Sequence, residues 1–74
     1  MFQKMSLKRK IKKCRKQIAD IEQKRIRSQA ALVSAILANS TPDDADVDYF
    51  NRYTEQIEAI RSEMNELEIQ LKNI

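Results

Sequence analysis

The sequence predicts an all-α protein, an antiparallel two-helix hairpin of the coiled-coil type that oligomerisation completes into a helical bundle. Its 74 residues include no glycine and one proline, and strong helix formers dominate the composition. Two stretches repeat apolar residues in alternating steps of four and three, the heptad pattern of helices that pack along one seam. Pro42 marks the one point where a helix must be interrupted.

The whole chain, residues 1–74, is predicted to form a single helical hairpin, because its length suits one domain at most. We predict helix 1 over about 4–38, a turn over 39–41 and helix 2 over about 42–72. Asn39 tolerates the left-handed conformation that often ends a helix. Thr41 is the expected cap of helix 2 and Pro42 its first helical residue, with Asp43 and Asp44 beside the positive end of the helix.

Each predicted helix carries one seam of residues that should face the other helix. In helix 1 the seam is Leu7, Ile11, Cys14, Ile18, Ile21, Arg25, Ser28, Leu32 and Ala35. In helix 2 it is Asp46, Phe50, Tyr53, Ile57, Ile60, Met64, Leu67, Leu71 and Ile74. Matching the seams about the turn pairs Phe50 with Ala35, Leu71 with Cys14 and Ile74 with Ile11. The beginning of the chain, residues 1–10, then forms a basic overhang.

Two polar residues, Arg25 and Ser28, interrupt the seam of helix 1. A polar layer between two helices often selects their register or partner at a cost in stability. Alternatively, the long side chain of Arg25 extends outward toward Glu63. Cys14 is expected to act as a small apolar seam residue.

A second apolar stripe runs along helix 1, on the face away from the seam. It belongs to the uncharged segment 30–38, and a bare stripe of this kind on so small a protein marks an interface. We therefore expect self-association, or binding to a helical partner protein. The rival interpretation is a loosely packed outer face on a stable monomer. The expected contact residues are Ile26, Ala30, Val33, Ile36, Leu37 and Tyr49.

The start of the chain is strongly basic, and no acidic residue precedes Asp20. Such a segment can bind the phosphate backbone of RNA or DNA without reading bases. An acidic protein, an anionic lipid surface or water alone are the alternatives. The residues concerned are Lys8, Arg9, Lys10, Lys12, Lys13, Arg15 and Lys16.

Catalysis is not expected, because the chain has no histidine and no glycine for a phosphate-binding loop. The aspartates at 44, 46 and 48 have the spacing of a calcium loop, but Tyr49 stands where that loop needs glycine, so we expect helix N-terminal charges instead. We predict no cofactor, metal ion or small-molecule substrate. One cysteine and no membrane-length apolar run indicate a cytoplasmic protein.

Two functions agree with this pattern. The first is a small protein–protein interaction module, of the adaptor, chaperone or inhibitor kind, that uses the outer stripe of helix 1. The second is a dimeric helical hairpin that binds nucleic acid through the basic segment.

Overall fold

A computed structural model, which describes residues 2–74, shows two α-helices packed side by side in opposite directions. Helix α1 spans Phe2–Leu37 and helix α2 spans Asp44–Lys72. The molecule measures 57 × 15 × 14 Å, and its radius of gyration is 16.8 Å. A compact domain of this length would have a radius of gyration of about 11 Å. The predicted all-α helical hairpin is confirmed, and it is a rod whose core is one layer of side chains thick.

The end of α1 is closed by backbone hydrogen bonds around Asn39. This residue has φ 56°, the left-handed conformation that asparagine tolerates better than most residues. The Ser40 N–H donates to the Ala35 carbonyl at 2.8 Å, and the Asn39 N–H donates to the Ile36 carbonyl at 3.1 Å. These two bonds form a Schellman motif, which satisfies carbonyls that the helix end would otherwise leave free. The role predicted for Asn39 is confirmed.

Helix α2 begins two residues later than predicted. Its N-cap is Asp43, which has φ −62° and ψ 137°, and the Asp43 carbonyl accepts the first helical bond from the Val47 N–H at 3.2 Å. The prediction that Thr41 caps and Pro42 opens the helix was therefore wrong. The Asp43 side chain makes no capping hydrogen bond, so its backbone conformation and the negative charge beside the helix N-terminus are what suit it to this position; the fixed φ of proline also suits a turn. Asp44 lies in the first turn of α2, as expected.

The predicted seams are confirmed as the packed faces of the hairpin. All the seam residues of α1 and α2 are buried or half-buried except Ile74, at the end of the chain. The most enclosed are Leu7, Ile11, Cys14, Ile18 and Ile57, with exposed fractions of 1–7 %.

The register of the two seams differs from the predicted pairing. Ile11 lines a hollow with Leu71, and Cys14 lines another with Leu67, whereas the predicted pairing matched Leu71 with Cys14. Leu7 is 6 % exposed, so the hairpin extends further toward the start of α1 than the predicted overhang allowed. The seams are offset by about one layer. The reason is the turn, residues 38–43, whose midpoint lies between Ser40 and Thr41 rather than beyond Pro42.

The rod divides into two halves that differ in burial. The open half consists of residues 2–20 and 61–74 and ends where the chain begins and ends. The turn half consists of residues 21–60. The open half holds four of the five buried side chains of the described residues, and Ile57 is the one in the turn half.

Candidate interaction surfaces

The outer stripe of α1 forms one continuous surface in the turn half. Four of its side chains line a single shallow hollow together with Gln29 and Ser34. Among the larger ones, Ile26 is 55 % exposed, Val33 46 % and Leu37 80 %. The described residues cover none of these three, so the stripe is available to another chain. The four stripe residues are Ile26, Ala30, Val33 and Leu37.

Ile36 extends this surface onto one flank of the hairpin. The same flank carries two ion pairs, Arg15 with Glu68 at 3.7 Å in the open half and Glu22 with Arg61 at 3.3 Å at the boundary of the two halves. Two heptads nearer the turn than the pair of Glu22 and Arg61, the equivalent positions of the two helices are Ile36 and Val47, which therefore lie at the same level. Both are exposed, Ile36 at 63 % and Val47 at 38 %.

Val47 was missed in the sequence prediction. The signal that could have found it is its heptad position, which is the same in α2 as that of Ile36 in α1. In an antiparallel pair of helices, equal flanking positions lie side by side. We call the combined surface the turn face; its members are Ile26, Ala30, Val33, Ile36, Leu37 and Val47.

Tyr49 does not belong to the turn face. It lines a separate hollow with Ala45, Asp48 and Arg52. Its ring stacks on that of Tyr53, with a centroid distance of 6.3 Å and an interplanar angle of 18°. By heptad position it lies on the flank opposite to Ile36. The structure therefore does not place Tyr49 with the other predicted interface residues, although the ring is 51 % exposed.

The polar layer of the seam lies inside the turn half. Arg25 and Ser28 are both half-buried. Among residues 2–74, no carboxylate lies within ion-pair distance of Arg25. Glu63, its predicted alternative partner, instead lines a hollow with Lys13 and Gln17. Arg25 therefore remains in the seam, where its aliphatic stem can cover apolar neighbours.

The basic segment lies in the open half and is exposed to solvent. Within the described part of the chain, Arg15 is its one member with an ion pair, to Glu68. The first turn of α1 contains no acidic residue, so the positive end of that helix adds to the positive potential. Every predicted contact residue here is exposed: Lys8, Arg9, Lys10, Lys12, Lys13, Arg15 and Lys16.

A hollow at the open end joins the basic segment to α2. Lys8, Lys12, Arg15 and Lys72 surround Ile11 and Leu71, and Glu68 adds one carboxylate. Ile11 is only 6 % exposed, but Leu71 is half-buried and Phe2 and Met5 near the same end are 90 % and 55 % exposed. This end therefore combines charge with apolar surface, whereas the stripe residues of the turn face are uncharged.

Three further features of residues 2–74 concern a thiol, metal ligands and membrane spans. Cys14 is a buried free thiol. Within residues 2–74, no group of three or more acidic or cysteine side chains is arranged to hold a metal ion. Neither helix, over the described residues, is long and apolar enough to cross a membrane.

We compared the chain with known proteins at three levels. Protein-family models, curated proteins and solved structures gave no match. The surfaces of the hairpin are therefore the basis for a functional proposal.

Proposed function

We propose that this chain is a small helical interaction module, which acts by binding another helical protein chain through the turn face. The single observation that supports the proposal is the position of this apolar surface beside a half-buried seam. In the turn half, the seam residues Ile21, Leu32 and Ala35 are only half-buried. A helix that is apolar on its outer side as well as along its seam is normally covered on both sides.

The surface area of the chain supports the same proposal. The hairpin exposes 6115 Å², whereas a compact folded chain of 8.7 kDa would expose about 4,700 Å². The excess, roughly 1,400 Å², is larger than the ~800 Å² that one partner buries in an interface of standard size. A partner chain on the turn face would remove part of this excess.

The energy available from the turn face is comparable with the stability of the hairpin. Fully burying an aliphatic side chain contributes about 1.5–3 kcal/mol. Ile26, Ile36 and Leu37 are each more than half exposed, so covering them contributes on the order of 3–5 kcal/mol. A domain of this length has a total stability of about 4–11 kcal/mol. Binding at the turn face would thus matter to the fold as well as to recognition.

The chain offers a matched pair of variants to test this proposal. Ile26 on the turn face and Ile69 on the outer side of α2 are 55 % and 53 % exposed, and each follows a glutamate by about one helical turn. We expect Ile26→Asp to abolish recovery of the bound chain when the tagged protein is purified from its own cells. Ile69→Asp makes the same chemical change outside the face and should preserve it. Equal recovery with both variants would contradict the proposal.

A second function, binding to the backbone of RNA or DNA, is favoured by one specific observation. Of the basic residues between Lys4 and Lys16, only Arg15 has an ion pair within the described part of the chain. Exposed cations release counterions when they neutralise phosphates, so such binding weakens steeply with salt.

A salt titration tests this second function directly. The logarithm of the association constant for labelled duplex DNA or RNA should fall linearly with the logarithm of the salt concentration. Replacement of four cations by glutamate should abolish binding. Absence of binding at 50 mM salt would exclude the nucleic-acid function and leave the turn-face proposal unaffected. The four cations are Lys8, Arg9, Lys12 and Lys13.

A further inference from the structure

We propose that the chain bound to the turn face is a second copy of this protein, related by a two-fold axis near residues 31 and 32 of α1. The two turn halves overlap antiparallel, and the two open halves point away from each other. This inference rests on the proposed function, because it identifies the partner of the same surface.

The spacing of the stripe is the same in both directions. Ile26, Ala30, Val33 and Leu37 follow one another in steps of four, three and four. Two copies that run antiparallel about the midpoint of this stripe therefore present matching layers, Ile26 against Leu37 and Ala30 against Val33. A two-fold interface requires such self-complementarity, since each surface patch meets its own copy. At each end of the interface Ile26 meets Leu37, two large side chains, and in the centre the small side chain of Ala30 permits close approach of the helices.

The charges of the outer face restrict the overlap to the turn halves. In the open half, the heptad positions of the stripe are occupied by three cations, Arg9, Lys12 and Lys16, with Phe2 and Met5 before them and Ala19 after them. If the two rods overlapped along their full length, Lys12 and Lys16 would lie against Ile26 of the second copy. Burying a charge against an apolar surface without a partner costs several kcal/mol or more. The half-length overlap leaves all three cations in water.

The half-length overlap also brings opposite charges to the same level of the rod. The turn of one copy lies beside residues 23–27 of the other, a segment whose outward-facing cations are Lys24 and Arg27. Asp44 lies in the first turn of α2, beside the turn. Complementary charges of this kind favour one orientation of association over others.

The resulting dimer differs in shape from a fully overlapped four-helix bundle. At 1.5 Å per residue, each open half extends about 44 Å from the two-fold axis, which gives a particle about 90 Å long. A fully overlapped bundle would keep the 57 Å length of one rod. The half-overlapped dimer has its two basic segments at opposite ends, about 65 Å apart. Such a particle could hold two separate polyanionic segments.

Small-angle X-ray scattering with sedimentation equilibrium on the purified full chain tests the inference. We expect a dimer with a maximum dimension near 90 Å. Val33→Asp and Ile26→Asp should each raise the dimer dissociation constant at least about 100-fold, and Ile69→Asp should change it less than about threefold. Far-UV circular dichroism confirms that each variant is folded, and two independent variants guard against a fold defect in one.

Three outcomes would overturn the inference, and they separate it from the proposed function. A dimer about 57 Å long, or a dimer insensitive to Val33→Asp, would place the interface elsewhere. A monomer at all concentrations would exclude the second copy as the partner. If that monomer still recovered a different protein from cells, and Ile26→Asp but not Ile69→Asp abolished the recovery, the turn face would remain the interaction surface. If neither variant mattered, the proposed function would fail as well.

Discussion

The seam of α1 keeps the same heptad spacing in the open half and the turn half of the rod, but its burial differs between them. In the open half, Leu7, Ile11, Cys14 and Ile18 are 4–7 % exposed. In the turn half, Ile21, Leu32 and Ala35 are half-buried. On α2 the order is reversed, since Ile57 in the turn half is 1 % exposed whereas Met64 and Leu71 in the open half are half-buried. The outer face of α1 is mainly basic in the open half and mainly apolar near the turn, so on this helix the better-covered part of the seam lies behind the more polar exterior.

The residues that flank the seam explain this difference. In the open half, long side chains such as Lys8, Arg15 and Glu68 stand beside it, and their aliphatic stems can lie over the apolar layer while the charged ends remain in water. In the turn half, the flanking positions include short residues, Ala31 and Thr54, among longer ones such as Gln29 and Gln56. The Thr54 hydroxyl donates to the Phe50 carbonyl of its own helix at 3.0 Å. A seam between two helices depends on its flanking residues for cover, and under the proposed function another chain adds cover in the turn half.

The largest expected effect comes from a charge placed in the covered seam. Ile18→Asp should unfold the chain, because an unpaired buried carboxylate costs several kcal/mol or more, comparable with the whole stability of the domain. Ala19→Asp, at an exposed neighbouring position, should change stability by less than about 0.5 kcal/mol. Circular dichroism at 222 nm during thermal unfolding measures both. If Ile18→Asp kept the melting temperature of the unmodified protein, the side chain at position 18 would not be buried away from water.

Replacing one aliphatic seam residue by alanine in each half tests whether the two halves differ in burial. Ile11→Ala should lower the free energy of unfolding by about 2–4 kcal/mol, since large-to-small changes at enclosed sites fall in this range. Leu32→Ala should cost roughly half as much in dilute protein, because Leu32 is already partly in water. Urea unfolding at low micromolar concentration compares the two variants. Equal losses would remove the distinction between the halves.

The stability of the hairpin should depend on the residue at position 39, which adopts the left-handed conformation in the turn between α1 and α2. Asn39→Ala should cost up to about 1 kcal/mol, since alanine at φ 56° keeps the contact between Cβ and the following carbonyl but lacks the polar side chain with which asparagine offsets it. Asn39→Gly should be neutral or slightly stabilising, because glycine adopts this conformation without steric cost. Chemical denaturation measures the difference between the two variants. If alanine and glycine behaved alike, the backbone geometry assigned to the turn would be wrong.

The smallest effect is expected for the ion pair between Glu22 and Arg61. Both side chains are partly exposed, at 38 % and 60 %, and exposed pairs contribute about 0.2–1 kcal/mol. A double-mutant cycle with Glu22→Gln and Arg61→Gln should give a coupling energy in this range that decreases in 1 M salt. A coupling energy above about 2 kcal/mol would indicate that this flank is covered more than the hairpin alone provides.

The packed faces of the hairpin could be predicted from the sequence, whereas their register could not. Heptad spacing identified the seams because it depends only on local helix geometry, and Asn39 was identifiable because few residues tolerate positive φ. The register depends on where the turn is centred. A threonine, a proline and two aspartates in succession all suit a helix start, so local preference left the beginning of α2 uncertain by two residues.

The candidate surfaces could be predicted only in part, namely where they depend on the spacing of residues within one helix. The stripe on α1 follows from spacing within one helix, and the structure brings its four residues together. Val47 and Tyr49 depend on which flank of α2 meets which flank of α1, a relation between helices. That relation places Val47 on the turn face and Tyr49 on the opposite flank. Without a matching relative or structure, the identity of the partner rests on the self-complementary spacing of the stripe.

Amide hydrogen exchange measured across a range of protein concentrations tests the central claim most directly. The claim is that the turn face is covered by a second copy, so raising the concentration should slow exchange of residues 26–37 by at least tenfold. The seam of residues 7–18 is covered within one chain, so the exchange rates of these residues should depend on concentration much less than those of residues 26–37. Exchange rates that are independent of concentration in both segments, in a chain that remains folded at high dilution, would contradict the claim.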